Sequence, residues 1–293
     1  MLRTWLLTAT AMVAFGANSL LCRLALQHGS IDAASFSSIR LLSGALTLAA
    51  IVRLRTTAAA TTRPDWMSAA MLFAYVACFS FAYLSLAAGT GALILFGAVQ
   101  LTMCFAGWRG GERFGPVAAG GFVAAVAGLV ALVLPGLTAP SPGGAALMGA
   151  AGMAWGVYSL RGRGVADPLR ATSLNFLCAT PMALVLSVLL AGRARADATG
   201  AALAIASGAL TSGIGYVVWY AALRGLTALR AATVQLSVPP LAAFGGVLWL
   251  DETITPRLVG ASIAILGGIA LVLSGRAVAA PTRTGTQPPP PPR

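Results

Sequence analysis

The chain has 293 residues, 58% of them hydrophobic and 9% charged, against roughly 25% charged in an ordinary soluble domain. Nineteen arginines and seven acidic residues are too few to cover a water-soluble monomer, and the mean hydropathy of +0.86 agrees. The net charge of +12 does not point to nucleic acid, because the arginines stand singly or in pairs between apolar runs and form no basic stripe. This is an integral membrane protein.

A spanning helix needs about 20 mostly apolar residues. Such runs lie at about 4–22, 33–52, 66–87, 90–108, 115–134, 143–160, 170–190, 199–222, 229–249 and 257–275. The first run follows Arg3 as a signal peptide would, but it lacks a small-x-small cleavage site and nine further runs follow. The segment 276–293, ending in Pro288 to Pro292, reads as a disordered Pro-rich tail. Cys22, Cys78, Cys104 and Cys178 all fall inside apolar runs without metal-ligand spacing, so they read as packing residues, and no metal or cofactor is expected.

Arginine placement sets the expected topology. With the N-terminus inside, fourteen arginines fall in cytoplasmic segments and four (Arg23, Arg193, Arg195, Arg257) outside. Arg40 lies within a span. Both termini are then cytoplasmic, in the inner (plasma) membrane.

The sequence also repeats. Shifted by 140, Ala14-Phe15-Gly16-Ala17-Asn18-Ser19-Leu20 falls on Ala154-Trp155-Gly156-Val157-Tyr158-Ser159-Leu160. The same shift sets Arg23 on Arg163, Glu112 on Glu252, Pro116 on Pro256, and Gly120, Ala124 and Gly128 on Gly260, Ala264 and Gly268. A shift of 137 carries Tyr83, Leu86 and Thr90 onto Tyr220, Leu223 and Thr227. Residues 1–138 and 139–275 thus read as two halves of five spans. Since five is odd, the second half enters inverted. The expected architecture is all-α, ten transmembrane helices in two inverted five-helix repeats around a central cavity, as in secondary transporters.

With Phe36-x-x-x-Arg40, Gly111-Glu112-Arg113, Pro239-Pro240 and Asp251-Glu252-Thr253, this arrangement resembles EamA-type members of the drug/metabolite transporter superfamily. It is closest in character to the YddG-type amino-acid exporters. The resemblance covers about 4–275 and implies export of small metabolites, often amino acids. One departure is Val99-Gln100, where many relatives carry a proline, so that half-site is expected not to unwind.

Polar and aromatic groups inside a span need a partner or a wet cavity. Tyr75, Phe79 and Tyr83 share one helical face, as do Tyr216 and Tyr220. With Phe15, Trp155 and Tyr158 they either line a cavity or pack helices. Asn18, Gln100, Asn175 and Gln235 sit deep in their spans. Asn18 and Gln100 suit a solute's polar end, against the alternative of an interhelical hydrogen bond. Arg40 either receives a substrate carboxylate or is satisfied by backbone carbonyls. The expected substrate-binding set is Asn18, Arg40, Tyr83, Gln100, Trp155, Tyr158 and Tyr220.

The Gly120-x-x-x-Ala124-x-x-x-Gly128 face and its repeat read as helix-packing surfaces. No nucleophile–base pair exists, no GxSxG or HExxH occurs, and the single histidine, His28, lies in a loop, which argues against an enzyme. Glu112 and Glu252 read as partners of Arg113 and Arg257. With no acid inside a span, movement is expected to follow the substrate's own gradient. The expected protein is thus an amino-acid exporter working by alternating access, as monomer or homodimer, with a small-molecule substrate and lipid as its only other partners. The alternative is a multidrug or organic-cation extruder using ring faces.

Overall fold

The computed structural model describes residues 2–55, 63–110, 115–136, 139–162, 165–226, 231 and 234–274. Among these the chain is helical throughout, apart from an isolated antiparallel bridge between Ile31 and Ala196. In chain order the helices are α1 Leu2–Gln27, α2 Ala33–Arg53, α3 Trp66–Ala82, α4 Ala88–Arg109, α5 Pro116–Val133, α6 Pro142–Arg161, α7 Pro168–Leu189, α8 Ala198–Leu223, α9 Val238–Leu250 and α10 Pro256–Ser274. Seven of them (α1, α2, α4, α5, α7, α8 and α10) are long and apolar enough to cross a membrane unaided. Helices α3 and α9 have 17 and 13 residues. Helix α6 has 20 residues and is diluted by glycine. An all-helical chain of this kind satisfies its backbone donors and acceptors internally, which hydrocarbon demands.

The scarce acids begin helices. Asp32 accepts from Ala34 N and Ser35 N, Asp65 from Met67 N and Ser68 N, Asp167 from Arg170 N and Asp197 from Gly200 N, each satisfying donors that a helix start leaves open. Burial opposes ionisation at Asp32, but the backbone N–H groups of Arg195, Ser35 and Ala34 hold its carboxyl below the usual range. At Asp65 the Ser68 hydroxyl, followed by the Arg161 guanidinium, lowers it as well.

Proline behaves differently at its two sites. Helix α7 runs unbroken through Pro181. Span 9 is interrupted by a turn at Leu236–Ser237, after which Pro239 and Pro240 occupy the first turn of α9, where a missing N–H costs little. Helix α4 carries no proline and runs on through Gln100.

Helix pairings are set by small residues. Helix α5 lies against α10, α2 against α7, α3 and α4 against α6, α1 against α8 and α9, and α4 against α9. A Cβ on Gly16 of α1 would meet Leu241 Cβ and Ala242 N of α9, and one on Gly156 of α6 would meet Thr102 Cβ and Val99 O of α4. At the α5–α10 contact, Gly121 and Gly268 each present a site where a Cβ would lie 2.5 Å from the other's carbonyl oxygen. Here the packing face differs from the Gly120/Gly260 expectation. Those two glycines are exposed with nothing within 4 Å, and the contact runs one residue over, through Gly121, Ala125 and Gly128 against Ala261, Ile265 and Gly268. The 3.6-residue period brings Gly128 and Gly268 onto either stripe, so sequence spacing alone does not separate them.

The bundle's two ends are tied separately. At one, Asp65 forms a bidentate pair with Arg161 and Arg55 lies 3.9 Å from Asp167. At the other, Asp32 and Ser30 meet the backbone of Arg195 and Asp197, Ser85 meets Ser141, and Arg257 donates to Leu134 O.

The α5–α10 contact makes a definite expectation. Gly268→Ala places a methyl 2.5 Å from Gly121 O and 2.7 Å from Ala125 N; backbone cannot yield as a side chain does, so a loss of about 1–3 kcal/mol is expected. Thermal unfolding in detergent should show a lower midpoint for Gly268→Ala and none for Gly120→Ala. Equal midpoints would rule this contact out as a packing constraint.

Candidate functional site

Six helices and the break before α9 surround one narrow internal cavity. Its walls are Phe15, Asn18 and Ser19 of α1, Arg40 of α2, Tyr75 and Phe79 of α3, Leu95 and Phe96 of α4, Trp155 of α6, Thr211, Ser212 and Tyr216 of α8, and Gln235. The room in which a water molecule can be centred is only about 30 Å3, enough for a water or two. A larger solute enters only as side chains move.

One side of the cavity is a chain of rings. Phe15 meets Tyr216 edge-on at 6.0 Å, Tyr216 meets Trp155 at 5.5 Å, Trp155 meets Tyr75 at 4.8 Å and Tyr75 meets Phe79 at 5.4 Å. The other side is polar and depends on a local irregularity. Within α8, residues Ser207–Ile214 form a π-helix, whose wider turns often mark functional sites. Its Gly208 packs directly on Arg40 O, bringing α8 against α2. From this segment Ser207 Oγ and Thr211 Oγ1 donate to Asn18 Oδ1 at 2.7 and 3.1 Å.

Arg40 is 1% exposed. Its Nε donates to Ser212 Oγ at 3.3 Å and its Nη2 to Tyr75 OH at 3.1 Å. The guanidinium lies 5.2 Å from the Tyr75 ring centroid and 5.0 Å from that of Phe79, within cation–π range. Nη1 is buried without a hydrogen-bond partner. Neither backbone carbonyls nor a carboxylate satisfy it.

Of the residues singled out from sequence, Asn18, Arg40 and Trp155 meet at the cavity. Tyr158 stands behind Trp155, stacked at 5.3 Å, its hydroxyl accepting from Asn175 Nδ2 at 3.4 Å. Tyr220 bonds Thr172 at 2.8 Å. Tyr83 is fully enclosed, its ring edge-on to Phe79 at 4.7 Å and its hydroxyl donating to Ala88 O. Gln100 is buried in α4 away from the lining. Thr211, Ser212, Ser19 and Leu95–Phe96 were not anticipated. Their one sequence signal was the cluster of hydroxyls in span 8, unusual in an apolar run.

Glu252 does not partner Arg257. Its carboxylate accepts from Ala88 N at 2.9 and 2.8 Å, completing the otherwise uncapped start of α4, and lies 3.4 Å from Arg23 Nε. Arg23 also donates to Tyr83 O at 2.9 Å. Asp251 makes this possible: at φ 53° it is the non-glycine residue with positive φ among the described residues. It turns the end of α9 so that Glu252 folds back over α4. Arg257 instead holds Leu134 O, and Glu112, Arg113 and Arg163 lie outside the described residues.

A helical membrane chain with a buried cavity of rings and amides is a transporter, not an enzyme. It belongs to the EamA-like transporter family of the drug/metabolite transporter superfamily: that family's model matches residues 142–274. It is 55% identical over 274 residues to the uncharacterized protein PA1977 of Pseudomonas aeruginosa, covering 94% of this chain and 96% of that protein. A crystal structure of a protein 20% identical superposes with a TM-score of 0.66 over 92% of this chain and 96% of the other, a likeness of fold alone.

Glu252 serves as cap and ion-pair partner together, and its two roles are separable. Glu252→Gln keeps an acceptor for Ala88 N and loses the Arg23 pair; Glu252→Ala loses both. Loss of a cap costs about 1 kcal/mol, so thermal unfolding in detergent should rank wild type above Gln and Gln above Ala. An Ala variant as stable as wild type would refute the capping role.

Proposed function

We propose that this transporter exports small metabolites, chiefly amino acids with apolar or aromatic side chains, across the inner membrane by alternating access, with both termini in the cytoplasm. The observation that carries the reading is the two-sided cavity: a wall of rings to hold an apolar side chain, faced by Asn18, Gln235, Thr211 and Arg40 to hold polar ends. The amino-acid direction comes from the likeness to YddG-type exporters. Among the expected residues, Asn18, Arg40 and Trp155 touch the solute in this reading. Tyr158, Tyr220 and Tyr83 brace the wall from behind, and Gln100 acts within α4.

We further propose that residues 1–138 and 139–275 are inverted five-helix repeats that rock about this cavity. The helix pairings support this. Exchanging each helix with the one five later turns α3–α6 into α8–α1, α4–α6 into α9–α1 and α2–α8 into α7–α3, and returns α2–α7 and α5–α10 to themselves. The contacts of Gly16 and Gly156 also agree at the 140-residue offset. The segments joined at each end of the bundle are those that arginine placement assigns to one side of the membrane.

An organic-cation extruder needs free ring faces, and Arg40 already lies over two of them. No carboxylate lines the cavity. The proposed movement therefore follows the substrate's own gradient.

Proteoliposomes offered radiolabelled amino acids and cationic dyes test the reading. Apolar and aromatic amino acids should move down their gradient with no pH difference imposed. Asn18→Ala and Trp155→Ala should cut this flux about tenfold or more while the protein stays folded. Full transport in both variants would reject the site, and dye movement without amino-acid movement would reject the substrate class.

Topology has its own test. Single cysteines at Ala139 and Thr199, in a background lacking the native four, should react with an impermeant external thiol reagent in intact cells, and one at Ala59 should not. Labelling at Ala59 alone would reverse the orientation.

A further inference from the structure

Resting on the exporter reading, we propose that the cavity selects its solute by charge: Arg40 seats a single carboxylate attached to an apolar group, and an amino group is tolerated but not required. Two of the three guanidinium nitrogens are occupied, by Ser212 and Tyr75, and Nη1 is buried with no partner. Among the described residues the ion pairs are Arg23–Glu252, Arg55–Asp167 and Arg161–Asp65, so none neutralises Arg40. A guanidinium held this way is costly, and the faces of Tyr75 and Phe79 offset only part of that cost. A carboxylate reaching Nη1 completes a charge-assisted hydrogen bond in a place from which water is largely excluded. An ammonium brought to the same place is repelled.

The neighbouring polar groups agree. Asn18 Oδ1 is taken by the Ser207 and Thr211 hydroxyls, which sets the amide's orientation and leaves its N–H groups as what it can offer a solute. Gln235 Nε2 donates to Ala231 O, leaving Oε1 as a neutral acceptor for an amino group. The site therefore offers two donor groups, one of them charged, and one uncharged acceptor. A plain structural role, with Arg40 merely pinning α2 to α3 and α8, explains Nε and Nη2 but leaves Nη1 unexplained.

Binding to the purified full-length protein in detergent, followed by intrinsic tryptophan fluorescence and calorimetry, tests this with matched probes. These are phenylalanine, 3-phenylpropanoate and phenethylamine, and the aliphatic set leucine, 4-methylpentanoate and isopentylamine. In at least one set, the amino acid and the deaminated acid should bind within about tenfold of each other, and the amine at least about tenfold more weakly, as loss of a charged hydrogen bond implies. Arg40→Met should weaken both acids at least about tenfold and leave the amine unchanged; Arg40→Lys should keep part of the preference, since it keeps the charge. Amines binding as tightly as acids to wild type would overturn the charge assignment whatever the variants do, and leave the exporter reading standing. An unchanged acid-to-amine ratio in folded Arg40→Met would also overturn it. Failure of both sets to bind would overturn the exporter reading together with this one.

Discussion

Helices surrounded by lipid gain nothing from hiding apolar surface, so they associate only where their backbones can come close. That constraint organises this molecule. Gly121 and Gly268 fasten α5 to α10, Gly16 fastens α1 to α9, Gly156 fastens α6 to α4, and Gly208 lets α8 rest on α2 at Arg40. The cavity is what remains where four such approaches meet and large side chains return. Its rings project from helices whose backbones are held close elsewhere, which is why so narrow a space is bounded by so many aromatic groups.

Polar groups follow from the same shortage of water. Four acids cap helices and a fifth, Glu252, caps one that is remote in sequence. Hydroxyls in mid-span either bond back to the carbonyl four residues earlier, as Thr102 and Thr180 do, or bond another helix, as Ser37 does with Ser80. Arg40 is the exception. Its environment is aromatic and hydroxylic, and one of its nitrogens is left over.

Composition and hydropathy were enough to read the membrane class and the run of spans, because bilayer thickness imposes one length on every spanning segment. Asn18, Arg40 and Trp155 were legible as polar or amphipathic groups in apolar runs. Tyr83 and Tyr220 share a helical face with cavity residues, but one-face periodicity says nothing of depth, and each sits where its hydroxyl finds a protein partner instead. Thr211 and Ser212 escaped notice because small hydroxylated residues in a span usually bond their own helix. Only the π-helical turns of α8 direct them inward, and such turns leave no periodic trace. The Arg23–Glu252 pairing joins residues more than two hundred positions apart, beyond what local charge spacing reveals.

The wide turns at Ser207–Ile214 have a further consequence for how this chain tolerates length changes. A turn of π-helix holds one residue more than a turn of α-helix, so everything after it is rotated by about 100° relative to a regular continuation. Tyr216 and the following residues face where they do because that phase offset precedes them. Losing a single residue within the segment would let it relax to ordinary α-helix. The rest of α8 would then turn a different stripe to the cavity, with no side chain in that stripe replaced. In related chains, a one-residue gap at this place would alter the recognition surface more than most substitutions in the cavity wall.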